Sequence, residues 1–254
     1  MLAIHAVPAF KDNYIWMIED GGNAVAVDPG DAAPVERFVD ERGLSLSAVL
    51  ATHHHMDHVG GLVALARRFR CETFGPASEA IAGLDHRLAE GDRIDVPGIG
   101  LSLETIDIPG HTAGHIALFG GAMVFCGDTL FACGCGRLFE GTAAQMSASL
   151  GKLARLPGGT RVYCGHEYTL ANIRFAEAAD PGNAALAARK VRESAKRDKG
   201  TPTLPSTIAE ELATNPFLRC EDPAIIASAA RHAGKPLKDR VEVLAVLREW
   251  KNSF

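Results

Sequence analysis

Thr52-His53-His54-His55-Met56-Asp57-His58 is the stretch that decides how this chain is read. It follows an apolar run over residues 46–51 and precedes Val59-Gly60-Gly61-Leu62, so it occupies a loop at the carboxyl end of a predicted strand. Open α/β sheets hold their ligands at such strand ends. On a helix, residues two apart point about 200° away from one another, so a helix could not use the run in this way. A tightly curled loop sends His53 and His55 one way and Asp57 and His58 another, an arrangement that suits two metal ions rather than one. His54 then points away from both.

Working outward, β-prone runs recur at residues 24–27, 101–108, 122–126 and 161–164, each stopping at a polar turn. The first stops at Asp28-Pro29-Gly30, where Asp28 either orients a histidine or stabilises the turn. The other three deliver His111, Asp128 and His166 after short turns. Helical spacing of apolar residues over 33–42, 61–69 and 143–156 completes a mixed α/β layered domain spanning residues 1–166. Past residue 167 the texture changes. Helices are predicted over 170–179, 184–199, 208–213, 223–233 and 236–251, with no strand-like run, so residues 167–254 form a helical second domain.

Imidazoles and carboxylates without thiolates are ligands for zinc, iron or manganese. The seven candidates His53, His55, Asp57, His58, His111, Asp128 and His166 exceed what one catalytic ion needs. They fit two ions about 3.5 to 4 Å apart that share a carboxylate.

Composition narrows the alternatives. With 47% hydrophobic and 22% charged residues in 254, the chain is globular rather than disordered or fibrous. Its longest nearly apolar stretch, residues 116–126, is too short for the roughly 20 residues of a membrane span. The start of the chain lacks the features of a signal peptide. Six sparse cysteines with no CxxC pair suit reduced thiols in the cytoplasm, and Cys133-Gly134-Cys135 reads as a Gly-rich loop rather than a metal or redox motif. Residues 1–166 carry 12 basic and 19 acidic side chains, whereas residues 167–254 carry 14 and 12. The acidic metal-bearing part argues against nucleic acid, and the basic tail suits a small anion.

The pattern Thr52-His-x-His-x-Asp-His58, with His111, Asp128 and His166, resembles the metallo-β-lactamase superfamily. Within it the chain is most similar to the hydroxyacylglutathione hydrolases (glyoxalase II), whose hallmarks match Phe10-Lys-Asp-Asn-Tyr-Ile-Trp16, Cys133-Gly-Cys-Gly-Arg-Leu-Phe-Glu-Gly141, Cys164-Gly-His-Glu-Tyr-Thr169, Asn215-Pro-Phe-Leu-Arg219 and Leu247-Arg-Glu-Trp-Lys-Asn-Ser-Phe254. The resemblance implies an αββα four-layer sandwich with a C-terminal helical domain. It puts His53, His55 and His111 on one ion, Asp57, His58 and His166 on the other, and Asp128 between them. It implies glutathione recognition by Arg137, Phe139, Tyr168, Arg248 and Lys251. Some members carry Lys where Arg137 stands and Tyr where Phe139 stands, so a hydroxyl contact is lost here.

The implied activity is hydrolysis of S-(2-hydroxyacyl)glutathione, chiefly S-D-lactoylglutathione, to glutathione and D-lactate, the final step of methylglyoxal detoxification. A metal-bridged hydroxide would attack the thioester, with Asp57 and Asp128 as the catalytic carboxylates and zinc, iron or manganese as the ions. The chain is expected to act as a cytoplasmic monomer on this small-molecule partner, without nucleic acid or membrane. The main alternative is a mononuclear-iron glutathione persulfide dioxygenase of the same fold.

Overall fold

The computed structural model describes residues 2–254, which resolve into two compact units. The first comprises the chain up to Asp107 together with Thr112–Gly127 and Tyr163–Glu167. The second comprises Ile108–His111, Asp128–Val162 and Tyr168–Phe254.

In the first unit, β1 (Ala3–Ala9), β2 (Asn13–Asp20) and β3 (Asn23–Val27) form an antiparallel meander. Helix α1 (Ala32–Arg42) follows, capped by the Asp31 carboxylate on Ala33 N–H and ended by Gly43 at φ 62°. Strand β4 (Ser45–Leu50) then pairs parallel to β3. Helices α2 (Met56–Val59) and α3 (Leu62–Phe69) lead to β5 (Glu72–Pro76) and β6 (His86–Leu88), also parallel. A second sheet runs antiparallel through β7 (Arg93–Asp95), β8 (Ser102–Asp107), β9 (Ile116–Gly120) and β10 (Met123–Gly127). Ile15, Met17, Ala26, Val49, Leu62 and Leu65 are fully buried between the first sheet and its helices. Burying each of the larger of these side chains, Ala26 excepted, contributes about 1.5 to 3 kcal/mol.

In the second unit, β11 (Leu130–Phe131) and β12 (Gly134–Cys135) form a two-stranded ribbon. The Cys-Gly-Cys segment expected as a loop is therefore partly strand, turned at Cys133 with φ 55°. Helix α4 (Ala143–Ala154) starts with a capping box of Thr142 and Gln145. Strand β13 (Arg161–Cys164) begins in this unit and ends in the first, where Gly165 N–H bonds the Gly127 carbonyl at 2.9 Å. Helices α5 (Thr169–Ala179) and α6 (Ala184–Asp198) follow. The tail is not strandless: β14 (Ser206–Thr207) pairs Arg161 and Val162 before α7 (Ile208–Thr214) and α8 (Pro223–Ala233). Helix α9 (Arg240–Asn252) starts four residues later than predicted, because Asp239 caps the Val241 and Glu242 N–H groups. No described helix is long and apolar enough to cross a membrane.

Candidate metal centre

Two strand ends seat the histidine run. After β3, Asp28 sits at φ 54°, its N–H bonded to the Leu50 carbonyl at 2.8 Å. Its carboxylate accepts from Thr52 N–H and Thr52 Oγ1, both at 2.8 Å, which pins the residue immediately before His53. A Cβ on Gly30 would lie 1.9 Å from the Asp57 carbonyl oxygen, so Pro29-Gly30 supplies the backbone floor on which the next turn rests. The expected curled loop is partly helical: His53, His54 and His55 precede α2, which carries Asp57 and His58.

Within the first unit the donor atoms converge. His53 Nε2 lies 3.2 Å from His55 Nδ1. Asp57 Oδ2 lies 3.7 Å from His58 Nε2 and 3.5 Å from His166 Nε2, and these three residues bring one ligand atom each within 4.8 Å of one another. Two donors on one tetrahedral zinc ion stand about 3.3 Å apart, so the spacings fit.

The opposite ring nitrogens are held by the protein. His58 Nδ1 lies 3.1 Å from Asp28 Oδ2, His166 Nδ1 lies 2.9 Å from Asp12 Oδ1, and His53 Nδ1 lies 3.1 Å from Thr52 Oγ1. Such partners fix the tautomer of a metal-binding imidazole and raise its basicity. Asn13 Nδ2 donates to Asp57 Oδ2 at 3.0 Å and to the Asp57 carbonyl at 3.3 Å. Asp28 also brings a donor atom close to His53 and His58, but both its oxygens already accept from Thr52. Its Oδ2 also lies 3.1 Å from His58 Nδ1, so the same carboxylate turns the His58 ring.

In the second unit, His111 Nε2 lies 3.6 Å from Asp128 Oδ2, and His111 Nδ1 bonds the Arg137 carbonyl at 2.9 Å. The Phe139 N–H bonds the His111 carbonyl at 3.2 Å, and the Phe139 ring stands edge-on at 5.2 Å from the imidazole while remaining 63% exposed. A Cβ on Gly136 would lie 2.0 Å from the Asp128 carbonyl oxygen, so this loop too needs glycine at its closest approach. The donor set as a whole is imidazole and carboxylate, the chemistry of a divalent metal site.

The C-terminal cations are also in the second unit. Arg248 is buried, its Nη1 donating to the Cys135 carbonyl at 2.7 Å and its guanidinium lying 5.3 Å from the Phe217 ring. This differs from the solvated helix face that charge alone would suggest. Lys251 Nζ lies 5.5 Å from the Phe175 ring. Burial first, then the charges of Arg248, Arg137 and Arg174, bring the Lys251 ammonium down to about 8. Tyr168 stands at the start of α5 with its ring 5.3 Å from Phe131.

Other candidates resolve into structural roles. His54 pairs with Glu79, His5 with Glu19 and His86 with Glu72, while His232 stacks on Trp250. His115 is fully buried and stacks on His53 at 4.5 Å. Burial pushes the Cys133 thiol up to about 12 and raises that of Cys135, so neither offers a thiolate near neutral pH. The roles of Asp12, Asn13, Glu79 and Arg174 were missed from sequence. Only Asp12 and Asn13 carried a signal, as members of the quoted Phe10–Trp16 motif.

Residues 10–166 match the family described as the metallo-beta-lactamase superfamily, and residues 167–254 match the hydroxyacylglutathione hydrolase C-terminus. A hydroxyacylglutathione hydrolase of Nitrosomonas europaea is 54% identical over 100% of this chain and 97% of its own length. Among solved structures, ETHE1 from Myxococcus xanthus superposes with a TM-score of 0.69 at 26% identity, covering 98% of this chain and 91% of that one. TTHA1623 in a di-iron-bound form gives 0.59 at 26% identity over 85% of this chain and 100% of its own. Full-length identity of this order, together with the matched helical C-terminus, places the chain within the metallo-β-lactamase superfamily as a member of the hydroxyacylglutathione hydrolase family.

Proposed function

We propose that this chain hydrolyses S-(2-hydroxyacyl)glutathione, above all S-D-lactoylglutathione, to glutathione and a 2-hydroxy acid, closing methylglyoxal detoxification. The observation that carries this reading is the group of cations around Lys251, namely Arg137, Arg174 and Arg248. A tripeptide with two carboxylates is a fitting partner for it, and the like-charge cost of assembling it is relieved when an anion binds.

In this reading two divalent ions, zinc ahead of iron or manganese, are held by the His and Asp side chains. His53, His55 and His111 take the first, Asp57, His58 and His166 the second, and Asp128 is shared. The di-iron form of TTHA1623 supports a two-ion site in this fold. When bound, such ions acidify water and polarise a thioester carbonyl.

The chain's own residues do the rest. Asn13 orients Asp57, which holds the proton of the attacking water. Arg137, Arg248 and Lys251 hold the glutathione carboxylates, while Phe139 and Tyr168 flank the peptide. The glutathione thiolate departs with little help from an acid. A one-iron oxygenase would have no use for a second set built from Asp57, His58 and His166 with each imidazole backed by a carboxylate.

We assign residues 1–166 to metal binding and catalysis and residues 167–254 to glutathione recognition. The protein would act as a cytoplasmic monomer, free of nucleic acid and membrane. Six buried thiols support a reducing compartment.

The test is thioester hydrolysis measured beside elemental analysis of the same preparation, comparing lactoylglutathione with a plain acyl thioester and a β-lactam. Two ions per chain and a preference of at least tenfold for lactoylglutathione are the expected results. One iron with oxygen uptake would overturn the reading.

A further inference from the structure

Glu79 lies in the turn after β5, far from any ligand in sequence, yet its side chain is only 3% exposed. Oε2 of this buried carboxylate faces His54 Nδ1 at 2.9 Å. Oε1 accepts from Thr112 Oγ1 and, at 3.2 Å, from the Gly114 N–H. The approach is close enough to dictate the neighbouring residue, since a Cβ on Gly114 would lie 2.6 Å from Glu79 Cγ. The turn itself is held by Arg87, whose Nη1 donates to the Glu79 carbonyl at 3.2 Å, and by Ile81, whose N–H reaches the same carbonyl at 3.1 Å.

The three groups that Glu79 grips are not equivalent in the chain. His54 separates His53 from His55, and Thr112 is the residue that follows His111. A single carboxylate thus ties the loop that presents two imidazoles to the segment that leads out of a third. An ordinary turn needs no buried charge, and burying one without several donors is costly. Here three donors converge on it from two separate loops.

We infer that Glu79 is a positioning residue for the first ion's histidines, setting the spacing between the His53–His55 loop and the Thr112–Gly114 segment. It touches neither substrate nor metal and acts through His54, Thr112 and Gly114. This inference rests on the ligand set proposed above, but its readout is metal affinity, so it stands or falls separately from the thioesterase reading.

The experiment strips the full-length protein with a chelator and titrates it with zinc against a chromogenic competitor, for wild type, Glu79→Gln and Glu79→Ala. Glutamine keeps an acceptor for Thr112 and Gly114 and should stay within about threefold of wild type. Alanine should weaken zinc binding at the His53, His55 and His111 site about 10- to 100-fold, the range seen when partners of metal ligands are removed. The cobalt-loaded Ala variant should show an altered visible spectrum, while melting of the metal-free proteins differs far less. Zinc affinity within twofold of wild type in Glu79→Ala would overturn the inference. So would equal losses in both variants, because charge rather than bond geometry would then be at work. Should Glu79→Ala fail to fold, Thr112→Val deletes one of the bonds to Oε1 and is expected to cost three- to tenfold in zinc affinity. No change there would overturn the inference equally.

Discussion

Asp12 Oδ1 stands 2.9 Å from Nδ1 of His166, a residue 154 positions further along the chain. The pairing leaves Nε2 of the ring directed at Asp57. Replacing Asp12 by alanine should release the ring and lower affinity for the Asp57–His58–His166 ion about 10- to 100-fold. Stepwise metal titration checks this, with the other ion expected to bind as before.

Asp128→Ala removes the carboxylate assigned to both ions. Metal content should fall and turnover should be lost, since the shared oxygen ligand has no substitute. Unchanged turnover with both ions retained would refute the shared role.

Arg248→Ala should raise KM for glutathione thioesters at least tenfold with little change in kcat, because uniform binding is lost away from the reacting carbonyl. A thioester lacking the glutamyl and glycyl ends should be nearly insensitive. Equal loss on that truncated substrate would contradict the assignment.

Lys251 sets a pH dependence whose sign follows from its lowered value of about 8. Below this the side chain is ammonium and attracts a carboxylate; above it the charge is lost. KM for lactoylglutathione should therefore rise as pH passes through about 8, with kcat less affected. Lys251→Met should flatten that rise. Because the folded protein holds this amine below its ordinary value, the same group costs folding stability at pH below about 8, and the cost fades as pH rises beyond it.

Glu211→Ala tests the buried support beneath the Cys-Gly-Cys ribbon. The carboxylate is fully buried and accepts from Arg189 at 2.7 Å, from Cys133 N–H at 2.8 Å and from Asn215 Nδ2 at 3.0 Å. Its removal leaves Arg189 with Glu210 at 3.4 Å and Thr214 as partners and unpairs the Cys133 N–H, and should cost about 2 to 3 kcal/mol, read as a lower Tm in calorimetry.

How much of this was legible beforehand depends on the range of the interactions. His53, His111, Asp128 and His166 follow apolar runs that end abruptly, so their placement at strand ends could be read locally. The helices of the tail announce themselves through spacing and caps, and α8 (Pro223–Ala233) matches its predicted bounds. The partners that aim the ligands could not be read locally. Asn13 reaches Asp57 across 44 residues and Glu79 reaches Thr112 across 33, contacts that no periodicity reports. The two-residue strands β11, β12 and β14 were missed because so short a run carries no alternation. Arg248 was singled out only through the family resemblance, because sequence shows a helix face but not its burial or the Cys135 carbonyl beside it.

The imidazoles of His53, His58, His111 and His166 are each anchored at one ring nitrogen by oxygen atoms of the protein itself. Within the first unit, the rings of His53, His58 and His166 are thus turned by their own polypeptide, and a cation bound by them would not need to refold the chain around it. Occupancy would then follow the cell's supply of divalent metals and the intrinsic affinity order of nitrogen and oxygen donors. Growing the producing cells on iron-rich or zinc-rich medium becomes a way of writing different contents into one unchanged scaffold.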